Sequence, residues 1–250
     1  MTTPVPRTRA QERYGLSFDA LILHCPEPMR VAPNPFRHVW QRALADFFAD
    51  ATTRGRFSCP PELTIVTYSN YAEPVLLERC LTHLGIERRV VVGRGVERWQ
   101  WIHKVALVHE LIEAGGVESE YVLCLDGDDV LLLGDPTEVV ARWLATDARL
   151  LFCGTRGDQP PSPECWAFES SVSDDPLHGH LNAGGYIGET AYVGERLAEI
   201  VAAAAAAEPW TQSEHGFDDQ LAWRHEHRRR YPEIKVDAGC DVFLRFDEDR

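Results

Sequence analysis

Between Leu63 and Leu125 the chain alternates strand-like and helix-like segments, and no other feature limits its possible folds as much. "LTIVTYS" reads as a strand, "EPVLLERCLTHLG" as a helix stopped at Gly85, "RRVVVG" as a strand, "IHKVALVHELIEAGG" as a helix and "YVLCLD" as a strand. Such a βαβαβ order predicts an α/β fold with a mostly parallel central sheet, because parallel neighbours need crossover helices that then cover both faces. The next helix carries its own start signal: Asp135 is placed to cap it, Pro136 suits its first turn and Glu138 follows three residues after the cap. "RLLFCG" continues as a strand, and residues 157–180, rich in Pro, Ser and acids, read as a surface loop of the kind that lines sites. "LNAGGYIGE" reads as a glycine turn, "AYVGERLAEIVAAAAAAEP" and "DDQLAWRHEHRRRYP" as helices, and "IKVDAGCDVFLRF" as closing strand structure.

Upstream of this core, residues 1–17 are polar and read as a flexible terminus, while residues 18–62 read as an N-terminal extension packed on the rest. Within it "FDALILHC" has strand character, and "RHVWQRALADFFADA" has helical character with Val39, Trp40, Leu44, Phe47 and Phe48 on one face. No linker or repeat divides residues 18–250, so a single domain is expected, with residues 63–246 as its core.

A length of 250 residues and a hydrophobic share of 44% allow a substantial core. The formal net charge of −14 repels polyanions and so speaks against a general nucleic-acid or anionic-membrane surface. The first residues lack the apolar stretch of a secretory signal, and no apolar run reaches the roughly 18 residues that a membrane helix needs, so a cytoplasmic location is expected. Seven cysteines include no CxxC pair, and Cys124 and Cys153 fall inside apolar strand-like runs, so neither a disulfide framework nor a zinc site is expected. Lys104 and Lys235 are the only lysines, which together with the alanine-rich tract suggests a GC-rich bacterial genome.

The chemistry concentrates in residues 121–136, "YVLCLDGDDVLLLGDP", where Asp126, Asp128 and Asp129 sit at the end of an apolar strand. In open α/β sheets ligands bind beyond the carboxyl ends of the strands, so these carboxylates would face a ligand. A hard divalent cation such as Mg²⁺ or Mn²⁺ commonly takes one or two carboxylates and fills its remaining positions with water and substrate phosphates. Asp126 with Asp128 or Asp129 suits that role, against the simpler reading of an acidic surface turn.

Five segments in order resemble the glycosyltransferase domain of procollagen lysyl hydroxylases and its microbial relatives: "LTIVTYSN", "HKVALVHEL", "LDGDDVLLLGDPTEVV", "LNAGGYIG" and "DDQL". The resemblance implies a single GT-A (Rossmann-like) domain that uses a UDP-sugar donor and Mn²⁺ or Mg²⁺. By matching position it implies that Thr67, Tyr68 and Ser69 face the uridine, that Lys104 approaches the nucleotide, and that Asp126 and Asp129 hold the metal, with Asp128 replacing a tyrosine between them on the donor side. Where the family carries a metal-binding histidine in "LDH", this chain has "VDAG" with Ala238, and Asp237 or Asp241 is the expected substitute. His178 and His180 are weaker candidates.

Other roles follow from side-chain chemistry. Asn182 offers a donor and an acceptor to sugar hydroxyls, and Gly184 and Gly185 allow close backbone approach to the donor. Of Asp218 and Asp219, at a helix start, one is expected to cap and the other to act as general base or to stabilise developing positive charge; Asp219 is preferred for catalysis. Trp99 and Trp101 are candidates for stacking on base or sugar, with core packing as the competing reading. The acids of residues 157–180 and the net charge favour a small, hydroxyl-rich acceptor that is neutral or cationic, such as an aminocyclitol or amino sugar of bacterial natural-product biosynthesis. A metal-dependent phosphoryl or nucleotidyl transferase would also use clustered aspartates, and a catalytically dead sugar-nucleotide-binding protein is the third reading. The sequence fixes neither oligomeric state nor hexose.

Overall fold

The computed structural model describes residues 20–25, 37–175 and 177–245. The first 17 residues therefore lie outside the described chain, as do residues 246–250.

A six-stranded sheet forms the centre, in the order β10-β6-β7-β4-β2-β3. Its strands are β2 (Leu63–Tyr68), β3 (Arg89–Val92), β4 (Tyr121–Leu125), β6 (Leu150–Thr155), β7 (His180–Glu189) and β10 (Ile234–Asp237). β2 runs parallel to β3 and β4, and β10 parallel to β6, as the βαβ order requires. β7 runs antiparallel to both β4 and β6, so the sheet is mixed. The one strand that runs against the other five carries "LNAGGYIG". Expected as a turn, it lies inside β7, the longest strand, between β4 and β6.

Each strand sends alternate residues to opposite faces, and both faces are covered. Leu63, Ile65, Leu123 and Leu125 pack with α2 (Leu76–Leu84) and α4 (Pro136–Leu144). Trp40 and Phe47 of α1 (Arg37–Ala49) join the same core, with Leu44 and Phe48 packed against it; the side chain of Val39 lies outside the described residues. Val66, Tyr68, Val122 and Cys124 face the other way, onto α3 (Ile102–Glu113), α6 (Thr190–Ala205) and α7 (Asp219–Arg230). Helix ends follow the sequence signals. Gly85 takes φ 83° after α2, and the Asp135 side chain accepts from the Thr137 N–H in front of Pro136. Glu138 pairs with Arg142 at 3.0 Å instead of closing a capping box.

A second, three-stranded sheet places β1 (Ile22–His24) between β11 (Phe243–Arg245), to which it is parallel, and β5 (Val130–Leu132), to which it is antiparallel. The two ends of the described chain thus meet beside the acidic turn. The expected loop of residues 157–180 contains a helix, α5 (Pro163–Val172), capped by Ser162 and started by Pro163. Its polar sequence hid it, because what it buries is a charge: Glu169 is fully buried against Arg224 of α7, 2.8 Å away. A short β8–β9 hairpin (Gln212–Ser213 and Gly216–Phe217) precedes α7. All seven cysteines are free thiols, and no described helix is long and apolar enough to cross a membrane.

Candidate active site

Residues 126–129 form the turn between β4 and β5 at the carboxyl end of the sheet. The turn is pinned at three points. The Asp126 N–H donates to Gly184 O at 2.9 Å, the Leu77 N–H to Gly127 O at 2.8 Å and the Cys25 N–H to Asp129 O at 2.8 Å. Gly127 cannot be replaced cheaply, since a Cβ there would stand 2.7 Å from Tyr68 O and 2.8 Å from Val75 Cγ2.

This turn faces the end of β1. His24 Nε2 lies 3.3 Å from Asp129 Oδ2, and one ligand atom from each of His24, Asp126 and Asp129 falls within 4.8 Å of the others. Among the described residues this is the sole group of three with that property. Gly184 leaves the necessary room, because a Cβ there would stand 2.4 Å from His24 Cε1 and 3.0 Å from Asp126 Oδ2. The register of β7 against β6 jumps from Phe152–Tyr186 to Cys153–Asn182, so residues 183–185 are released from β6 beside the turn.

Lys104, buried on α3, joins this group to the start of α7: Nζ is 2.6 Å from Asp126 Oδ1 and 3.4 Å from Asp219 Oδ2. Burial alone would favour a neutral amine, but the neighbouring carboxylates of Asp126 and Asp219 outweigh it and raise the Lys104 pKa above its usual value. Burial pushes the Asp126 carboxyl up, Lys104 opposes that shift, and Asp129 adds to it. Asp218 caps α7, accepting from the Leu221 N–H at 2.9 Å, and burial raises its pKa too. Asp219 opens the helix and presents its carboxylate to the same cleft.

That cleft has a volume of about 630 Å³. His24, Asp126 and Asp129 occupy one part of it, with Lys104, Asp218 and Asp219 beside them, and Glu214 and His215 at the tip of the β8–β9 hairpin complete the acidic wall. Trp101 is 56% exposed and also lines the cleft, whereas Trp99 packs on Gly93 and on the core beside α3. The two tryptophans therefore part: one is available for stacking and the other is structural.

Several residues expected at the site lie elsewhere. The Thr67 hydroxyl is buried and donates to Leu125 O at 2.9 Å, the Tyr68 hydroxyl donates to Tyr186 Oη at 3.2 Å, and Ser69 Oγ accepts from the Tyr71 N–H at 3.2 Å. None of the three lines the cleft: Thr67 and Tyr68 belong to β2, a central strand with both faces covered, and Ser69 turns back onto Tyr71 just after it. Asp128 is exposed and outside the lining. Gly185 lies under Phe243 and Leu125. Asn182 reaches the cleft with both polar groups engaged, Nδ2 donating to Gln220 Oε1 at 2.8 Å and Oδ1 accepting from the Gly184 N–H at 3.1 Å.

The expected third metal ligands are also displaced. Asp237 accepts the backbone N–H groups of Asp241, Val242 and Phe243 at 3.0, 2.8 and 2.7 Å, which fixes the β10–β11 connection, and both Asp237 and Asp241 line a different cleft. The side chain that lies beside Asp126 and Asp129 is instead His24. His180 is held by Glu169 at 2.9 Å under the Trp166 ring, and neither His178 nor His180 lines the site. The acids of residues 157–180 are used elsewhere: Asp158 and Glu169 pair with Arg224, Glu164 pairs with Arg228, and Asp174 and Asp175 line the other cleft.

Besides His24, two residues overlooked in the sequence matter here. Arg245 lies level with His24 on the neighbouring parallel strand, lines the cleft and donates to Thr155 Oγ1. Gln220 ties Asn182 to α7. The only sequence signal for His24 and Arg245 is that each closes an apolar strand with a polar residue, as Asp126 follows β4. Compared with protein-family models and with curated proteins, the chain matches none.

Proposed function

We propose that the protein is a metal-dependent glycosyltransferase that moves a hexose from a UDP-sugar to a hydroxyl of a small, neutral or cationic acceptor. The observation that carries this reading is one cleft holding the His24–Asp126–Asp129 group, Lys104 and the Asp219 carboxylate together.

The donor set fits a divalent cation. Two carboxylates supply charge and an imidazole supplies nitrogen, and His24 Nδ1 is buried without a hydrogen-bond partner among the described residues. A nitrogen ligand suits Mn²⁺ better than Mg²⁺, which prefers oxygen and gives up water reluctantly. His24, Asp126 and Asp129 would hold the ion, which when bound would neutralise charge on the leaving diphosphate as a Lewis acid. Arg245 offers a guanidinium fork for the phosphoryl oxygens. Lys104 holds Asp126 and Asp219 in fixed relation by charge. Trp101 gives an exposed aromatic face for a sugar or base.

At the acceptor, Asp219 takes the proton of the attacking hydroxyl as the new glycosidic bond forms and the bond from the anomeric carbon to the UDP oxygen breaks. Glu214, Asp218 and Asp219 make that wall anionic, which suits an ammonium-bearing acceptor and disfavours a polyanion. The deciding experiment incubates the protein with UDP-glucose and UDP-galactose, with and without Mn²⁺, against amino sugars, aminocyclitols and neutral oligosaccharides. Mass spectrometry of the products and assay of released UDP give the readout. Metal-dependent UDP release that disappears in Asp126→Ala is the expected result; transfer of phosphoryl or nucleotidyl groups, or UDP binding without turnover of any donor, would replace this reading with another.

A further inference from the structure

A second cleft, of about 440 Å³, runs along β10, the edge strand of the six-stranded sheet. Its walls come from Asp174 and Asp175 after α5, from the β10–β11 connection, with Asp241, and from the end of α7, with His227 and Tyr231. The volume falls within the roughly 300–1,000 Å³ common for small-molecule sites.

The groups that line it are unevenly satisfied. The Asp237 carboxylate is taken up by three backbone N–H groups, and Asp175 Oδ1 accepts from the Leu177 N–H at 2.6 Å. The Lys235 ammonium donates to Thr146 O at 2.6 Å. Asp174 and Asp241, by contrast, have no ion-pair partner among the described residues. His227 is 1% exposed, and its Nδ1 has no hydrogen-bond partner among the described residues. A buried polar nitrogen without a partner is costly unless something supplies one. Burial also holds this imidazole neutral, with its pKa lowered to about 4, so it can meet a hydroxyl without adding positive charge. The Tyr231 side chain, 45% exposed, offers an aromatic surface at the same cleft.

We propose that this cleft binds a small organic cation bearing hydroxyl groups, its ammonium between Asp174 and Asp241 and a hydroxyl at His227. The site is independent of the metal group. Among the described residues no three ligand atoms come together here, which disfavours a metal ion as the occupant, and the surplus carboxylates disfavour an anion.

The test compares three sugars of one shape and different charge, glucosamine, glucose and glucuronate, by following the His227 imidazole resonances of the protein during titration. Glucosamine should give a saturable shift at His227, glucose a binding weaker by roughly fivefold, as loss of two exposed charge contacts implies, and glucuronate none. The Asp174→Asn/Asp241→Asn double variant should lose the preference for glucosamine over glucose, and His227→Phe, followed through the Tyr231 ring, should weaken both sugars. In every variant the Mn²⁺ affinity of the first cleft should stay unchanged. Equal binding of glucosamine and glucose, an unaltered preference in the double variant, or shifts confined to Trp101 and the first cleft would overturn the proposal.

Discussion

His24 Nε2 stands 3.3 Å from Asp129 Oδ2, a contact that the first strand makes with the turn after β4. The pairing of β1 with β5 on one side and β11 on the other creates it, and Gly184 keeps the space open beside it. If the three residues hold a metal together, His24→Ala should lower Mn²⁺ affinity by at least about tenfold, the lower end of what disturbed metal ligation costs. Gly184→Ala should do the same by pushing its Cβ into the His24 ring. Electron paramagnetic resonance of free Mn²⁺ measures both; unchanged affinity in His24→Ala would remove the residue from the site.

At the start of α7, Asp218 caps the helix, and the proposed reaction assigns the proton transfer to its neighbour Asp219. Asp218→Ala removes the cap on Leu221 N–H and should cost about 1 kcal/mol of stability, read by denaturant titration. Asp219→Asn should lower kcat by about 10²–10⁴-fold while UDP affinity is little changed, as expected for a lost general base. Full turnover in Asp219→Asn would show that the proton leaves by another route.

Much of the architecture was legible because it rests on local pattern. Strands buried on both faces read as apolar runs, and Gly85, Asp135 and Asp218 mark helix ends by chemistry visible within a few residues. The direction of β7 was not legible, since a glycine run looks alike in a turn and in a strand whose neighbours press close. α5 escaped because its buried face carries Glu169, whose partner Arg224 is remote in sequence. The turn carboxylates were legible for the same local reason as the helix ends. The roles of His24 and Arg245 were not, because they depend on β1 and β11 pairing across the length of the chain. Thr67, Tyr68 and Ser69 matched a pattern, but the packing of β2 turned the hydroxyls of Thr67 and Tyr68 to partners inside the protein, and Ser69 accepts from the Tyr71 N–H beside it.

The Glu169–Arg224 pair should be a major support for residues 157–180. Arg224 also donates to Asp158 at 2.6 Å and to Pro160 O at 2.8 Å, so one guanidinium joins α7 to both the start of this segment and α5. Arg224→Met leaves Glu169 buried with the His180 imidazole and the Leu181 N–H as its remaining partners and should destabilise the protein by about 3–5 kcal/mol, in line with breaking one side of a buried ion pair. Denaturant unfolding measures it. A loss below about 1 kcal/mol, the range of exposed pairs, would show that the charge is solvated.

Two buried groups give stability the same dependence on acid. His227 has its pKa lowered to about 4 from the ordinary 6.5, so below pH 6.5 the unfolded chain binds a proton that the folded chain refuses. Stability is therefore lost as pH falls through that window, by up to about 3 kcal/mol from this group. Glu169 is shifted down despite its burial, because His180 and Arg224 favour its ionised form; its contribution is full above the ordinary carboxylate value and is lost as pH falls from there through its lowered value. Unfolding free energies measured from pH 7 to pH 4 should slope downward in the wild type and more gently in His227→Phe. Equal slopes would mean that His227 takes up its proton in the folded protein at the same pH as in the unfolded chain.

The acidic wall of the first cleft sets the last expectation. Glu214 is 86% exposed at the tip of the β8–β9 hairpin, next to His215, while Asp218 and Asp219 stand at the start of α7 behind it. An exposed carboxylate attracts a cation weakly, by about 0.2–1 kcal/mol, so Glu214→Gln should raise KM for an amino-sugar acceptor by roughly two- to fivefold and leave kcat alone. A neutral acceptor should show no change. Because the Debye length is about 10 Å at 0.1 M ionic strength, added salt should raise KM for the cationic acceptor in the wild type and do so less in Glu214→Gln. The two measurements separate attraction from contact: a packing role for Glu214 would raise KM for both acceptors and be indifferent to salt, and that result would place acceptor recognition on Trp101 and the residues around Pro160.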